Sequence, residues 1–364
     1  MTKLISRIII ILFLILIFAG CKGTSESEYK KYSDSFFDTF DTVVKVVAYT
    51  KSKEEFYSYF NRIHERFQVL HKLYDIYNDY EGMNNIKTIN DHAGIKPIKV
   101  EKEIIDLITF SQEWHDRTKG ATNIAMRPVL RIWHQYREDG KNDPENAKLP
   151  PMEKLRNAAE YTDIRKVLVD TEKSTVFLTN KGMSLDVGAV AKGYATELVV
   201  KELQKEGLIS GIISAGGNVR VIGKPLDGMR ERWGIGIQDP DKSIVPDGSN
   251  ILDTVFINNA SVVSSGDYER YYVVDDKVYH HIIDPKTLMP SQYYRAVTIV
   301  TEHSGLADLL STAVFVLPYK ESRGLVESLD GVEALWVMPN GNIEATEGMK
   351  RIMKSEGATG AKPE

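Results

Sequence analysis

Three short stretches of this chain set chemically capable residues at meaningful spacings. In SLDVGAVAKGYATE, residues 184–197, Asp186 and Lys192 flank a turn built of Gly188, Ala189 and Ala191. Small residues let a ligand approach the backbone, and a helix start offers free N–H groups to an anion. The stretch suits a phosphate-bearing ligand with Lys192 as its counter-charge. In ADLLSTAVFVL, Asp308 and Thr312 stand one helical turn apart with Ser311 beside them. A carboxylate and a hydroxyl on one helix face reach a single hard cation such as Mg2+, which takes oxygen ligands. In HHIIDP, strand alternation sends His280 and His281 to opposite faces before Asp284-Pro285 stops the strand. One imidazole then faces a site as a proton acceptor near neutral pH. Taken singly, each stretch reads equally well as a plain turn, a helix cap or a core histidine.

The elements that must position these residues follow from periodicity. Thr42–Thr50 is rich in β-branched residues and reads as a strand. Phe56, Phe60, Ile63, Phe67 and Leu70 recur at helical spacing, and EKEIIDLITFSQEWHDRT is a second amphipathic helix. SLDVG and GIISAGGNVRVIG read as strands with a helix, YATELVVKELQKEG, between them. Gly216 and Gly217 in AGGNVRVIG give a tight turn or a close backbone approach to a phosphate. Short strand patterns fill the second half, broken by the helix SGLADLLSTAVFVL before a late strand in EALWVMPNG. Helices and strands mix without βαβ alternation, so the expected fold is α+β, a single domain over residues 33–350.

The chain has 364 residues, 42% hydrophobic and 27% charged, with a net charge of −5 that excludes a general nucleic-acid binder. Its start is a targeting segment: Lys3 and Arg7, an apolar run from Ile8 to Phe18, then Ala19-Gly20-Cys21. That end resembles a bacterial lipobox, with Phe18 where leucine is usual. It implies a signal peptide over residues 1–20, a lipidated Cys21 and a protein anchored on the outer face of the cytoplasmic membrane. Cys21 is the sole cysteine, so intrachain disulfides and a thiol nucleophile are excluded. Residues 21–32 read as a polar tether and 351–364 as a flexible tail.

Five motifs in order, DVGAVAKGYA, AGGNVRVIG, SSGDYERYY, HHIIDP and DLLSTAVFVL, resemble the ApbE-like family of FAD:protein FMN transferases. The resemblance implies an Mg2+-dependent enzyme that cleaves FAD, transfers FMN to a threonine or serine hydroxyl of an extracytoplasmic target protein and releases AMP. It further implies FAD contacts at Asp186 and Ile282, phosphate approach by Lys192, and His281 as the base. Metal ligands are the Ala189 carbonyl and, from the helix motif, Asp308 and Thr312 with Ser311 as that motif's third. Upstream, Tyr77 stands at the family's nucleotide-side aromatic and Phe40 at its usual methionine. Ala121, Thr122 and Asn123 fall at its Ala-Phe-Asp flavin contact, with Phe and Asp replaced. The same residues also serve an FAD pyrophosphatase with water as acceptor, or a flavin-binding lipoprotein without catalysis.

Overall fold

The structure, a computed structural model, describes residues 28–242 and 250–362. The expected signal peptide and Cys21 lie outside the described residues. An eight-stranded antiparallel sheet runs in chain order: β1 (Lys30–Thr39), β2 (Thr42–Thr50), β3 (Gly211–Ala215), β4 (Asn218–Ile222), β5 (Ser261–Gly266), β6 (Ala296–Thr301), β7 (Glu333–Val337) and β8 (Ile343–Ala345). Alternation gives this sheet two apolar faces. Val44, Val46, Ile213, Val263, Val297, Ile299 and Trp336 point to one, and Val221, Val262, Ala296, Val300 and Leu335 to the other. Both faces therefore need cover.

The longer helices, in chain order, are α1 (Lys53–Tyr74), α2 (Lys102–Arg117), α3 (Arg127–Asn142), α4 (Ala191–Lys205) and α5 (Ser304–Val316). On the first face α5 lies against β5 and β6, α4 packs beside α5, and α1 packs on α4, β1 and β2. The second face is covered by the hairpin Trp233–Gln238/Ile251–Ile257 together with Met349 and Met353. Helix α3 belongs to a separate lobe. Its Val129 and Trp133 cluster with Tyr272 and Val274 of the hairpin Tyr271–Val274/Lys277–His280 and with Ile283 and Leu288. The Trp133 indole donates to the Leu288 carbonyl at 2.9 Å, which pins the lobe to the segment after the hairpin. No helix among the described residues is long and apolar enough to cross a membrane.

The α+β expectation holds, with three local corrections. SLDVG forms no strand. The Leu185 N–H and C=O bond the side chain of Asn90, and the Asp186 N–H donates to the Ile124 carbonyl, so the segment is fixed without a ladder. The tether is shorter than expected, because Lys30, Lys31 and Tyr32 pair with Thr50, Tyr49 and Ala48. The tail is not flexible through Lys362. The Gly360 carbonyl accepts from the Glu231 N–H at 2.8 Å, Ala361 bridges Arg230, and the Lys362 N–H donates to the Met229 carbonyl at 3.2 Å. Ser355 closes the contact by bonding Asp253. Deleting residues 355–364 removes a few such bonds, each contributing about 1 kcal/mol net. The expected result in a thermal melt is a fall of several degrees; an unchanged midpoint would show that the tail contributes nothing to the fold.

Candidate active site

A cavity of about 670 Å3 separates the α3 lobe from the sheet and the first turns of α4 and α5. Its deep wall is built by two helix starts that hold each other. Asp308, one turn into α5, accepts the Gly193 N–H of α4 on Oδ2 at 2.8 Å. Glu197 of α4 accepts the Ser304 N–H, the first of α5, on Oε2 at 2.9 Å. Each helix thus caps a free N–H of the other with a carboxylate, as the helix dipoles favour. Only glycine fits at 193, where a Cβ would meet the Ser304 carbonyl, the Asp308 side chain and the Asn218 amide.

The consequence is a free carbonyl. With the Gly193 N–H given to Asp308, no N–H among the described residues donates to the Ala189 carbonyl. Asp308 is buried, and desolvation pushes its carboxyl up while Lys192, the Gly193 N–H and Asn218 pull it back. Thr312 lines the same cavity one turn further along α5. One carboxylate, one carbonyl and one hydroxyl form an all-oxygen set suited to a hard cation that keeps part of its water shell, so these residues fit Mg2+. Ser311 does not join them. It lies outside the cavity lining, donates to the Asp308 carbonyl at 2.8 Å and bonds the Ser265 hydroxyl at 2.8 Å.

Lys192 lines the cavity from the first turn of α4, with no ion-pair partner among the described residues. Asp186 anchors the preceding turn: Oδ1 accepts the Gly188 N–H at 2.9 Å, and its other oxygen is left to the cavity. The two histidines separate as alternation suggested. His280 is a core residue, with Nε2 donating to the Ser291 carbonyl and Nδ1 accepting the Ile282 N–H at 3.1 Å. His281 lines the cavity, and neither ring nitrogen has a hydrogen-bond partner among the described residues. Burial, then the charges of Arg270, His280, Arg137 and Lys192, hold its pKa down at about 3, so the ring is neutral. An anion entering among those cations reverses part of that depression and makes His281 a better base.

Ile282, Tyr77 and Ala121 also line the cavity. Thr122 and Asn123 line it too, but the Asn123 amide is fixed at both ends, its nitrogen donating to the Thr162 carbonyl and its oxygen accepting the Ala125 N–H. Phe40 is misplaced by the sequence reading. It sits in a left-handed turn with φ of 54°, its ring edge-on to Phe67 and His71, and its neighbour Asp41 lines the cavity instead.

With this geometry in place, comparison with known proteins decides the family. A family profile described as the ApbE family matches residues 40–336. The chain belongs to the ApbE family. It is 31% identical over 276 residues to the FAD:protein FMN transferase of Treponema pallidum, covering 72% of this chain and 73% of that one. The ApbE protein of Thermotoga maritima superposes with a TM-score of 0.74 at 29% identity, covering 89% of this chain and 99% of that one. The flavin transferase ApbE of Vibrio cholerae gives 0.73 at 20% identity over 89% of this chain and 99% of its own, a likeness of fold.

Within this ApbE chain, α3 supplies what the motifs did not announce. Arg127, Arg131, His134 and Lys141 line the cavity along one helix face, and Arg270 faces them from the hairpin lobe. Arg127 lies over the Tyr77 ring at 5.2 Å, while Arg131 and Arg270 have no ion-pair partner among the described residues. The i, i+4, i+7 spacing of 127, 131 and 134 was the available signal.

The buried neutral His281 carries a pH signature. The unfolded chain takes up a proton here near pH 6.5, the folded chain only near pH 3, so stability is present above 6.5 and is lost as pH falls through that window. His281→Gln should flatten the decline between pH 6.5 and 4 in denaturant titrations. An unaltered pH dependence would mean that His281 is not held neutral.

Proposed function

We propose that this chain transfers FMN from FAD to a threonine or serine hydroxyl of a protein partner, with Mg2+ held by the Ala189 carbonyl, Asp308 and Thr312. The observation that carries the reading is the convergence, in one cavity, of Lys192, buried Asp308, the Ala189 carbonyl and neutral His281, with Lys192, that carbonyl and His281 lacking partners among the described residues. The relatives named as FAD:protein FMN transferases support the same chemistry.

The residues divide the work as follows. Lys192, at the start of α4, neutralises charge on the pyrophosphate of FAD, and Arg270 and Arg137 add cations beside His281. Mg2+, when bound, supplies further charge neutralisation on the phosphoryl oxygens. His281 accepts the proton of the acceptor hydroxyl on a ring nitrogen, because a free hydroxyl is a weak nucleophile. The acceptor oxygen forms its bond to the FMN phosphorus as the bridging P–O bond breaks, and AMP leaves with the bonding pair. The Asp186 oxygen left open by its turn faces the same ligand and orients it.

Incubating the chain with FAD, Mg2+ and proteins secreted by the same cell should yield flavin fluorescence on a target band in a denaturing gel, together with AMP. Asp308→Ala or excess EDTA should abolish both, and His281→Ala should slow transfer by roughly two to four orders of magnitude. AMP release with no labelled band, whatever protein is offered, would mean that water is the acceptor. Turnover persisting in EDTA would remove the metal from the scheme.

The placement of the enzyme rests on Lys3, Arg7, the Ile8–Phe18 run and Cys21. We place the catalytic domain outside the cytoplasmic membrane, tethered through lipidated Cys21, where two acyl chains give stable anchoring. Cys21→Ser should leave the chain released or as an uncleaved precursor in cell fractionation. A membrane-bound, lipid-labelled Cys21→Ser protein would refute that placement.

A further inference from the structure

Asn218 opens β4, is 2% exposed and lines the cavity, and its amide nitrogen, although near enough to Asp308 to lower that carboxyl's pKa, meets hydrogen-bond geometry with no acceptor among the described residues. Buried donors are nearly always paired, so an open one at a ligand cavity points to an acceptor that arrives with the ligand. Its orientation is fixed from behind. The Ser304 hydroxyl donates to Asn218 Oδ1 at 2.6 Å, and Ser304 itself is tied by its N–H to Glu197. The flipped amide would turn its oxygen toward the Asp308 carboxylate, an acceptor facing an acceptor. The nitrogen therefore looks toward Gly193 and Asp308, so close that a Cβ on Gly193 would lie 2.7 Å from it.

At the start of α4 the Ala191 N–H is taken by the Val187 carbonyl and the Gly193 N–H by Asp308. Two of the backbone donors beside Lys192 are thus occupied, and a side-chain donor adds to those left for a phosphoryl oxygen. Asn218 offers one without adding a cation that would compete with a metal at Asp308.

We propose that Asn218 is a further substrate-binding residue, donating from its amide nitrogen to a phosphoryl oxygen of FAD beside Lys192. The inference rests on the assignment of this cavity to FAD cleavage. Asn218→Asp is the sharpest probe: it keeps the oxygen that Ser304 bonds and replaces the donor by an anionic acceptor. Asn218→Leu removes the donor without charge.

The test is equilibrium binding of FAD, and of riboflavin, which has no phosphate, followed by flavin fluorescence in EDTA and again with Mg2+. Both variants should weaken FAD by about ten- to a hundred-fold, the loss of one hydrogen bond to a charged group. Riboflavin affinity should be unchanged for Asn218→Asp, with a melting temperature close to wild type. A parallel loss for both flavins, or no loss for FAD, overturns the proposal. A wild-type chain that binds FAD in neither condition overturns the transferase reading itself, a distinct result.

Discussion

The exchange of carboxylate caps between α4 and α5 is the constraint on which the site depends. Helix starts leave N–H groups unpaired and carry positive partial charge, so a buried start needs an acceptor, and an anionic one suits it best. Here each helix answers for the other: Asp308 takes the Gly193 N–H and Glu197 takes the Ser304 N–H. Two contacts a few residues apart fix both the separation and the rotation of the pair. Glu197 is held by more than its cap. Burial is the largest influence and would raise its pKa, but Arg220, buried beside it at 3.2 Å, acts with His303, the Ser304 N–H and Lys201 to hold it below the usual range and keep it ionised. Buried ion pairs are weak sources of net stability, since desolvation offsets most of the attraction. Their value at this position is geometric, because losing either partner would leave a buried charge exposed to no solvent and uncap α5.

The same exchange explains why the catalytic groups are where they are. A helix start that capped itself would use its own side chain or water, and the carbonyl before it would be one more unremarked turn. By accepting its cap from α5, α4 puts Asp308, Ala189 and Lys192 on the lining of one cavity. Gly193 is the geometric condition for that arrangement. The opening stretch of small residues is therefore packing and chemistry at once: Gly188 closes the Asp186 turn, Ala189 offers its oxygen, and Gly193 lets the second helix come close.

Much of this was legible in the sequence, and the limits are physical. Asp308 and Thr312 declared themselves by helical spacing, and the His280/His281 division followed from alternation as the strand ended. Lys192 stood out because a cation on a small-residue turn lacks an obvious local partner. The misreadings share one cause: tertiary bonds replaced the local pattern. SLDVG has a strand's composition but bonds Asn90 and Ile124 rather than a neighbouring strand. The tail has a disordered segment's composition, yet an open edge at Arg230 and Glu231 captures it. Phe40 stands where the resemblance puts a methionine, but the β1–β2 turn throws its ring onto α1. Ser311 is adjacent to the ligand face and differs from it by the rotation of a single residue, enough to direct its hydroxyl at Ser265.

The basic face of α3 completes the electrostatic argument. A neutral histidine surrounded by Arg270, Arg137 and Lys192 is a poor base on its own, because each cation makes protonation harder. That arrangement is costly for a site meant to take up a proton in the empty state. It becomes productive when a ligand brings negative charge into the same space, since the cations are then screened and the imidazole regains basicity as the substrate arrives. On the proposed scheme His281 is thus the weaker base when FAD is absent and the stronger when the pyrophosphate is in place. A cavity of this kind selects for a polyanionic ligand twice, once through attraction and once through the activation of its own base.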